Sequence, residues 1–285
     1  MKLSIAIKRF DTQLRADGKS ERTRQAYLRD LGKLRCWFDA DTNIASIKPH
    51  TLARFLADGN GDRAALTINR TKTALRVFFR FLTDAGYLSE NPARLIRSTP
   101  TDRRVPGYLS VDEARKLLNT IAKSDSALAT RDHAMFSLLL GTGIRLGSLV
   151  ALNVDDVNLT EETVTIKAKG GREETVFLNA RLCKLLARYI KPVTATDGAP
   201  LFRSRNGGRL GPRQVQLRLK YWLKAAGITK LLSVHCLRHS FATKLYSLSG
   251  DLRLVQRALG HRHITTTEIY VKVEDKALRK ALATM

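Results

Sequence analysis

Residues 163–178 read TVTIKAKGGREETVFL, and they decide the fold class because the spacing of apolar residues changes there. On both sides of the Lys-Gly-Gly sequence, apolar and polar side chains alternate with the period of two that is typical of β-strands. We therefore predict strands over 163–168 and 174–178, joined by a glycine-rich turn that contains Lys169. One hairpin in an otherwise helical sequence predicts an α+β domain.

Helical spacing of apolar residues predominates elsewhere in the second half of the chain. Ser110 and Glu113 have the spacing of a capping box, which predicts that a helix begins there. Further helices are predicted at residues 129–140, 146–152, 180–190, 212–226, 235–247, 251–259 and 274–283. The fold class predicted for this half is mainly α with a small β-hairpin.

The first half of the chain is predicted to be almost entirely helical. Ser20 is a candidate N-cap, and Gly59-Asn60-Gly61 is expected to end a short helix over 51–57. A long helix is predicted to follow at about 63–85. Four or five helices in so short a segment predict a compact helical bundle.

A polar segment separates the two halves. Residues 97–107 read RSTPTDRRVPG, with two prolines, one glycine and almost no apolar side chain. This composition predicts an extended, basic linker. We therefore predict two domains, one over residues 1–100 and one over residues 101–285.

The charge of the chain indicates the kind of partner. Its 285 residues include 50 Lys+Arg and 26 Asp+Glu, which gives a net charge of +24, and both halves are basic. A uniformly basic globular protein most often binds a polyanion, and nucleic acid is the first expectation. No apolar run approaches the roughly 20 residues that span a bilayer, and no signal-peptide core is present. We expect a cytoplasmic, nucleoid-associated protein with no membrane partner.

Four short motifs carry side chains suited to chemistry at a phosphodiester. They are Gly141-Thr-Gly-Ile-Arg145, the Lys169 turn, His235-Cys-Leu-Arg238-His239, and Leu259-Gly-His261 followed by Tyr270. Two guanidiniums can hold the non-bridging oxygens of a phosphate in its transition state. A tyrosine oxygen can attack phosphorus and form a covalent intermediate, and a lysine can protonate the departing 5′ oxygen. Each motif is weak alone, but the set predicts phosphoryl transfer on nucleic acid without a metal.

These motifs resemble those of the tyrosine recombinases, the phage-integrase family, and most of all its compact Xer-type members. Gly143-Ile-Arg145 resembles the first-arginine box of the family, and residues 235–243 resemble its His-x-x-Arg box. The similarity extends over essentially the whole chain. All six catalytic positions of the family are filled, by Arg145, Lys169, His235, Arg238, His261 and Tyr270.

The resemblance implies a role for each of these residues. Tyr270 is expected to attack the scissile phosphate and form a 3′-phosphotyrosyl bond, with Lys169 as general acid toward the 5′ oxygen. The two arginines and His261 are expected to hold the phosphate oxygens, and His235 is expected to act as proton acceptor or orienting donor. Bond energy is retained in the phosphotyrosine, so no ATP, metal or other cofactor is expected.

The resemblance also implies the architecture and the partners. The fold would be a SAM-like helical core-binding domain over 1–100 and a tyrosine-recombinase catalytic domain over 101–285 with a tail helix, forming a C-shaped clamp. The expected partner is double-stranded DNA with an inverted-repeat core site. Two copies are expected on each site and a tetramer in the synapse, as a homo-oligomer or with a related recombinase, exchanging strands through a Holliday junction.

One position departs from the family pattern. Ser148 stands three residues after Arg145, where many family members carry Glu. That Glu supports packing or orients its neighbours. Ser148 is therefore expected to alter the detail of the site, in particular the orientation of Arg145, and not its chemistry.

Basic residues outside the motifs supply further candidates for DNA contacts. They are chosen from charge on predicted helical faces and in a basic glycine loop, not from a motif. These candidates are Arg22, Arg24, Lys72, Arg76, Arg203 and Arg205.

Three other interpretations stay open from the residues alone. The side chains of Cys236, His235, His239, His261 and His263 suggest a zinc site, although the usual pair of closely spaced cysteines is missing. A DNA-binding paralogue without catalysis would share the charge and the helical bundle. A type IB topoisomerase would share the chemistry, but it would relax supercoils without a defined site or a tetramer.

Overall fold

The computed structural model describes residues 1–38, 41–60, 65–100, 107–167, 172–190 and 198–260. The chain divides into two compact units, Met1–Arg103 and Arg104–Met285. The domain boundary predicted from the sequence, between residues 100 and 101, lies next to this division. None of the helices in the described ranges combines the length and the apolar character of a bilayer-spanning segment.

The first unit is a helical bundle, as predicted. Its described helices are α1 Leu3–Ala16, α2 Glu21–Trp37, α3 Pro49–Asn60 and α4 Ala65–Asp84, with a 3-10 turn at Ile44–Ser46. Their apolar faces meet in a core in which the rings of Phe10 and Phe78 contact edge to face, with centroids 5.4 Å apart. Ser20 caps α2 by accepting a hydrogen bond from the backbone N–H of Thr23, which confirms the predicted start of that helix.

The end of α3 differs from the prediction. The sequence predicts a break at Gly59, whereas α3 continues through Gly59 to Asn60. A glycine inside a helix costs only about 1 kcal/mol relative to alanine. Burial of Leu52 and Phe55 in the core of the first unit offsets that cost, since tertiary packing supplies most of the stability of a helix in a protein.

The first residues of the predicted linker pack against α4 and are not a free extended segment. Asn69 donates from Nδ2 to the carbonyl oxygen of Thr99 at 2.8 Å and accepts from the backbone N–H of Thr99 at 2.7 Å. Lys72 donates to Oγ1 of Thr99 at 2.8 Å, and Arg76 donates to Oγ of Ser98 at 3.4 Å. The sequence could not show this because Asn69 and its partner are 30 residues apart. Residues 101–106 of the predicted linker lie outside the described ranges.

The second unit is mainly helical and contains one small sheet, which confirms the predicted fold class. Its described helices are α5 Val111–Ala122, α6 Ala129–Thr142, α7 Leu146–Ala151, α8 Ala180–Ile190, α9 Pro212–Ala225, α10 Val234–Ser249 and α11 Leu252–Leu259. The capping box of Ser110 and Glu113 is present at the start of α5. The helix predicted over 274–283 lies outside the described residues.

The sheet contains the predicted hairpin and one strand that was not predicted. Strands β1 Val157–Asn158, β2 Thr163–Lys167 and β3 Glu173–Phe177 pair antiparallel in that order. The register of the hairpin pairs Thr163 with Phe177 and Lys167 with Glu173. Strand β1 has only two residues, too few to show an alternating pattern in the sequence.

A buried carboxylate joins α6 to α9 in the second unit. Asp132 is 0% exposed and accepts hydrogen bonds from Arg131, from Nε of Arg218 at 2.6 Å and from Nε1 of Trp222 at 2.8 Å. A charge buried so deeply is tolerated only when it is paired and hydrogen-bonded. This network fixes α6, whose C-terminal end carries the first arginine motif.

Candidate active site

A glycine turn at the end of α6 places Arg145 at the start of α7. Gly143 ends α6 with φ of +65°, a left-handed conformation that favours glycine. A Cβ atom at Gly143 would approach Cδ1 of Phe241 within 2.4 Å, so this position has no room for a side chain. Arg145, two residues later, is the extended N-cap residue of α7. The Gly-x-Arg spacing thus has a physical cause in the tight turn.

Arg238 joins α10 to two other motifs. It is 5% exposed, and its Nη1 donates to the carbonyl oxygen of Gly143 at 2.7 Å. Its Nη2 donates to the carbonyl oxygen of Leu259, the last residue of α11. Gly143 precedes Arg145 by two residues, and Leu259 precedes His261 by two residues. One guanidinium therefore brings three of the four sequence motifs to one place.

Two histidines on the first turns of α10 lie beside the arginines. The rings of His235 and His239 are nearly perpendicular, with centroids 4.7 Å apart. Although His235 is more exposed than His239, loss of hydration and the charges of Arg238 and Arg145 lower its pKa. Burial, together with His235 and Arg238, lowers the pKa of His239 to about 4. Both imidazoles are therefore neutral at neutral pH, and a neutral imidazole can accept a proton.

Ser148 connects the Arg145 turn to the hairpin. It lies on α7 and is 8% exposed, and its Oγ donates to the carbonyl oxygen of Lys167 at 3.2 Å. Lys167 is the last residue of β2 and precedes Lys169 by two residues. Ser148 thus contacts the strand that precedes the predicted general acid in the sequence.

The end of α11 lies against the same hairpin. Gly260 has φ of +59°, and a Cβ atom there would lie 2.8 Å from Oε2 of Glu174 on β3. The chain before His261 contacts α10, because Arg238 binds the carbonyl oxygen of Leu259. The end of β2 contacts α7, the helix that begins after Arg145. Lys169, His261 and Tyr270 themselves lie outside the described residues, and their catalytic roles stay predictions.

The predicted DNA contacts in the first unit differ in their surroundings. Arg22 is exposed on α2. Arg24 is buried and pairs with both carboxylate oxygens of Asp11, at 2.8 and 2.9 Å, and with Glu21. This pairing gives Arg24 a role in joining α1 to α2, and a DNA contact by the same group stays a prediction. Lys72 and Arg76, described above, hold residues 98–99 against α4.

The two predicted contacts in the second unit lie in one loop. Arg205 is exposed, whereas Arg203 is half-buried and pairs in a β-bridge with Arg209. The carbonyl oxygen of Arg203 accepts a hydrogen bond from Nη1 of Arg131 at 2.8 Å, which ties this loop to α6. A phosphate contact by either arginine stays a prediction.

Three of the five side chains considered for a zinc site, those of Cys236, His235 and His239, lie within the described residues. Across the ranges that the structure describes, no group of three or more His, Cys, Asp or Glu side chains is placed to hold a metal ion. Of the five residues considered, His261 and His263 lie outside those ranges. Cys236 lies with Sγ 3.4 Å from Oγ of Ser233.

One hydroxyl group that supports the site was not predicted from the sequence. Ser240 accepts a hydrogen bond from the backbone N–H of Leu109 at 2.8 Å. Ser240 also donates to the carbonyl oxygen of Cys236 at 2.9 Å, so it anchors the segment before α5 to the helix that carries Arg238. The only sequence signal for Ser240 is its position next to His239.

Comparison with known protein families identifies the family to which the chain belongs. The model of the phage integrase family matches residues 107–277, and the model of the phage integrase N-terminal SAM-like domain matches residues 7–86. The chain belongs to the phage integrase family, the class of the tyrosine recombinases, as the motifs predicted.

Within this family, the chain is similar to XerC recombinases. The chain is 35% identical over 280 residues to tyrosine recombinase XerC of Chromobacterium violaceum, which covers 96% of this chain and 92% of the relative. It is 35% identical over 269 residues to tyrosine recombinase XerC of Neisseria meningitidis serogroup B, covering 90% and 87%.

Solved structures show the same fold. The XerH site-specific recombinase bound to a palindromic difH substrate in a post-cleavage complex has a TM-score of 0.80 and 26% identity, covering 96% of this chain and 84% of that chain. A lambda integrase tetramer bound to a Holliday junction has a TM-score of 0.75 and 19% identity, covering 93% and 79%, and shares the fold.

Proposed function

We propose that this chain is a site-specific DNA recombinase that cuts and rejoins duplex DNA through a 3′-phosphotyrosyl intermediate. The proposal rests on the placement of Arg238, whose guanidinium donates hydrogen bonds to the carbonyl oxygens of Gly143 and Leu259. These two contacts draw the Arg145 turn and the chain before His261 toward α10. A phosphate held between such groups would meet two permanently charged guanidiniums.

Arg145 and Arg238 supply the electrostatic part of the proposed reaction. A phosphodiester gains negative charge on its non-bridging oxygens as it approaches the transition state. Guanidiniums stay protonated at every relevant pH and can donate two parallel hydrogen bonds to such oxygens. Removing one preorganised donor of this kind costs about 10²–10³-fold in rate. The half-buried position of Arg145 and the burial of Arg238 limit competition from water.

The proposed proton and bond changes balance without a cofactor. The phenol oxygen of Tyr270 attacks phosphorus, and its proton passes to His235 or to water held there. The bond from phosphorus to the 5′ oxygen breaks, and Lys169 gives a proton to that oxygen, leaving a free 5′-hydroxyl. In the second step a 5′-hydroxyl of the partner strand attacks the phosphotyrosine and gives its proton to the neutral Lys169. The bond from phosphorus to Tyr270 breaks, and the proton acceptor of the first step returns a proton to the phenol oxygen. One phosphodiester is exchanged for another, so we propose that neither ATP nor a metal takes part.

The proposed substrate is duplex DNA with inverted repeats around a core. The net charge of +24 supports it, because phosphate contacts supply most of the non-specific affinity for DNA. The XerH and lambda integrase structures are complexes with DNA, and the latter includes a tetramer on a Holliday junction. We propose the same assembly here, with two copies on a site and four in the synapse, acting on DNA of the nucleoid.

The test is covalent capture of DNA. Purified protein is incubated in EDTA with fragmented genomic DNA of its host and denatured, and the DNA that stays attached is sequenced. The proposal predicts adducts at a shared inverted-repeat sequence with the wild type and with Tyr221→Phe, a control at an exposed tyrosine of α9. Tyr270→Phe is expected to bind DNA but to form no adduct.

Three results would contradict the proposal in different ways. Adducts at scattered sequences would favour a type IB topoisomerase, which shares the chemistry but not the defined site. Adducts that persist with Tyr270→Phe would refute the assignment of the nucleophile. Loss of the adducts in EDTA, with recovery on adding a divalent metal, would refute a metal-free reaction.

A further inference from the structure

A short hydrogen-bonded path connects Arg145 to the strand that precedes Lys169. Arg145 caps α7, and Ser148 lies within the first turn of that six-residue helix. The Oγ of Ser148 donates to the carbonyl oxygen of Lys167 at 3.2 Å, across 19 residues of sequence. The path therefore runs from one predicted catalytic residue to a point two residues before another.

Apolar packing fixes most of β2 but not its end. Val164 and Ile166 are buried in the core of the second unit, whereas Lys167 is exposed. Lys167 is the last described residue before Lys169, which follows it by two positions in the sequence. The contact from Ser148 thus acts at the last point of β2 that the structure describes, where side-chain burial no longer holds the strand.

The chemistry of the hydroxyl matters at this position. A serine hydroxyl can donate a hydrogen bond to a carbonyl oxygen, whereas an ionised carboxylate can only accept. An ionised Glu at this position would have no proton to donate to the carbonyl oxygen of Lys167. The hydrogen bond between α7 and β2 therefore depends on the serine hydroxyl.

We propose that Ser148 is a positioning residue, which holds the end of β2 at a fixed place relative to Arg145 and so sets where the Lys169 ammonium delivers its proton. This inference rests on the proposed function, in which Lys169 protonates the departing 5′ oxygen. It predicts that loss of the hydroxyl impairs leaving-group protonation more than any other step.

The test replaces the departing oxygen by sulfur. A nicked DNA substrate is made with a 5′-bridging phosphorothiolate, so that the phosphorus–sulfur bond breaks in place of the phosphorus–oxygen bond. A thiol has a pKa of about 8.5, far below that of an alcohol, so the departing thiolate needs no proton. Single-turnover cleavage is measured on the oxygen and sulfur substrates, and DNA binding is measured in parallel.

The expected result is a defect confined to the oxygen substrate. General acid catalysis contributes about 10²–10⁴-fold to a reaction rate. A displaced general acid loses part of this contribution. We therefore expect Ser148→Ala to cleave the oxygen substrate about tenfold more slowly than the wild type. On the sulfur substrate its rate is expected to match the wild type, as is that of Lys169→Ala. Ser148→Thr keeps the donor and should restore cleavage of the oxygen substrate.

Ser247→Ala is the matched control. Its hydroxyl also donates to a carbonyl oxygen at 3.2 Å, that of Lys244, but the contact lies within α10. This variant is expected to behave as the wild type on both substrates. A defect common to every serine-to-alanine change would thereby be recognised.

The outcomes separate this inference from the function on which it rests. If sulfur rescues Lys169→Ala but Ser148→Ala is equally slow on both substrates, or normal on the oxygen substrate, the positioning role of Ser148 is overturned while the proposed function stands. If sulfur does not rescue Lys169→Ala, the general-acid assignment fails, and this inference fails with it.

Discussion

Arg238 donates a 2.7 Å hydrogen bond from Nη1 to the carbonyl oxygen of Gly143, which lies 95 residues earlier in the chain. A second donor, Nη2, binds the carbonyl oxygen of Leu259. Both acceptors are uncharged, so these contacts orient the guanidinium without neutralising it. Two such contacts hold the guanidinium in a fixed place, as electrostatic preorganisation requires.

Replacement of Arg238 should slow DNA cleavage. We expect Arg238→Ala to lower the single-turnover cleavage rate by about 10²–10³-fold or more, because a preorganised phosphate donor is lost. Arg238→Lys should recover only part of the rate, since an ammonium is a point charge without the planar fork. Cleavage of a nicked DNA substrate measures both, with Arg253→Ala on the exposed face of α11 as control. Near-normal cleavage by Arg238→Ala would refute its place in the site.

The turn at Gly143 should tolerate no side chain. Gly143→Ala places a Cβ atom 2.4 Å from Cδ1 of Phe241 at a φ of +65°, and we expect about 1–3 kcal/mol of lost stability from overpacking and backbone strain. Urea unfolding monitored by circular dichroism measures the loss. Gly147→Ala is the matched control, because Gly147 lies in α7 with no atom within 4 Å of the added Cβ. Equal stability of the two variants would contradict the structural reason given for the Gly-x-Arg motif.

The buried His239 should make stability depend on pH. Burial first, then the charges of His235 and Arg238, lowers its pKa from 6.5 to about 4. Between these values the unfolded chain binds a proton that the native state does not, so stability decreases as pH falls. The full loss is about 3 kcal/mol and is complete only below pH 4.

The measurement is urea unfolding at pH 7, 6 and 5, above the range in which most carboxylates titrate. His239→Gln removes the titrating group and should show a weaker dependence on pH than the wild type over this interval. The same slope in both proteins would show that His239 is not the group responsible.

The carboxylate of Asp132 should be essential to the second unit. Asp132→Ala leaves Arg131 and Arg218 without their shared partner, and breaking a buried pair in this way costs about 3–5 kcal/mol. Asp112→Ala removes a carboxylate that is 87% exposed and pairs with Arg115, and we expect less than about 1 kcal/mol. Thermal unfolding of the two variants distinguishes them. A small effect of Asp132→Ala would mean that the network contributes little to stability.

Local signals account for what the sequence could predict. The alternation on either side of Lys169 and the capping box of Ser110 each lie within a few residues, and both elements were predicted correctly. The contacts that build the site join distant residues, such as Ser148 with Lys167, and no local pattern reports them. Arg24 shows the same limit, because its charge was visible but its partner Asp11, 13 residues earlier, was not.

We propose that Tyr270 forms a covalent bond to the 3′ side of a cut strand, and the most direct measurement is to map that bond. A nicked substrate traps the intermediate, because the short fragment that carries the new 5′-hydroxyl diffuses away. Digestion followed by mass spectrometry then identifies the peptide that carries a nucleotide. We predict one modified residue, Tyr270, joined through phosphate to a 3′ nucleotide, with a free 5′-hydroxyl on the released fragment. A modified residue other than Tyr270, or attachment to the 5′ end, would contradict the proposed mechanism.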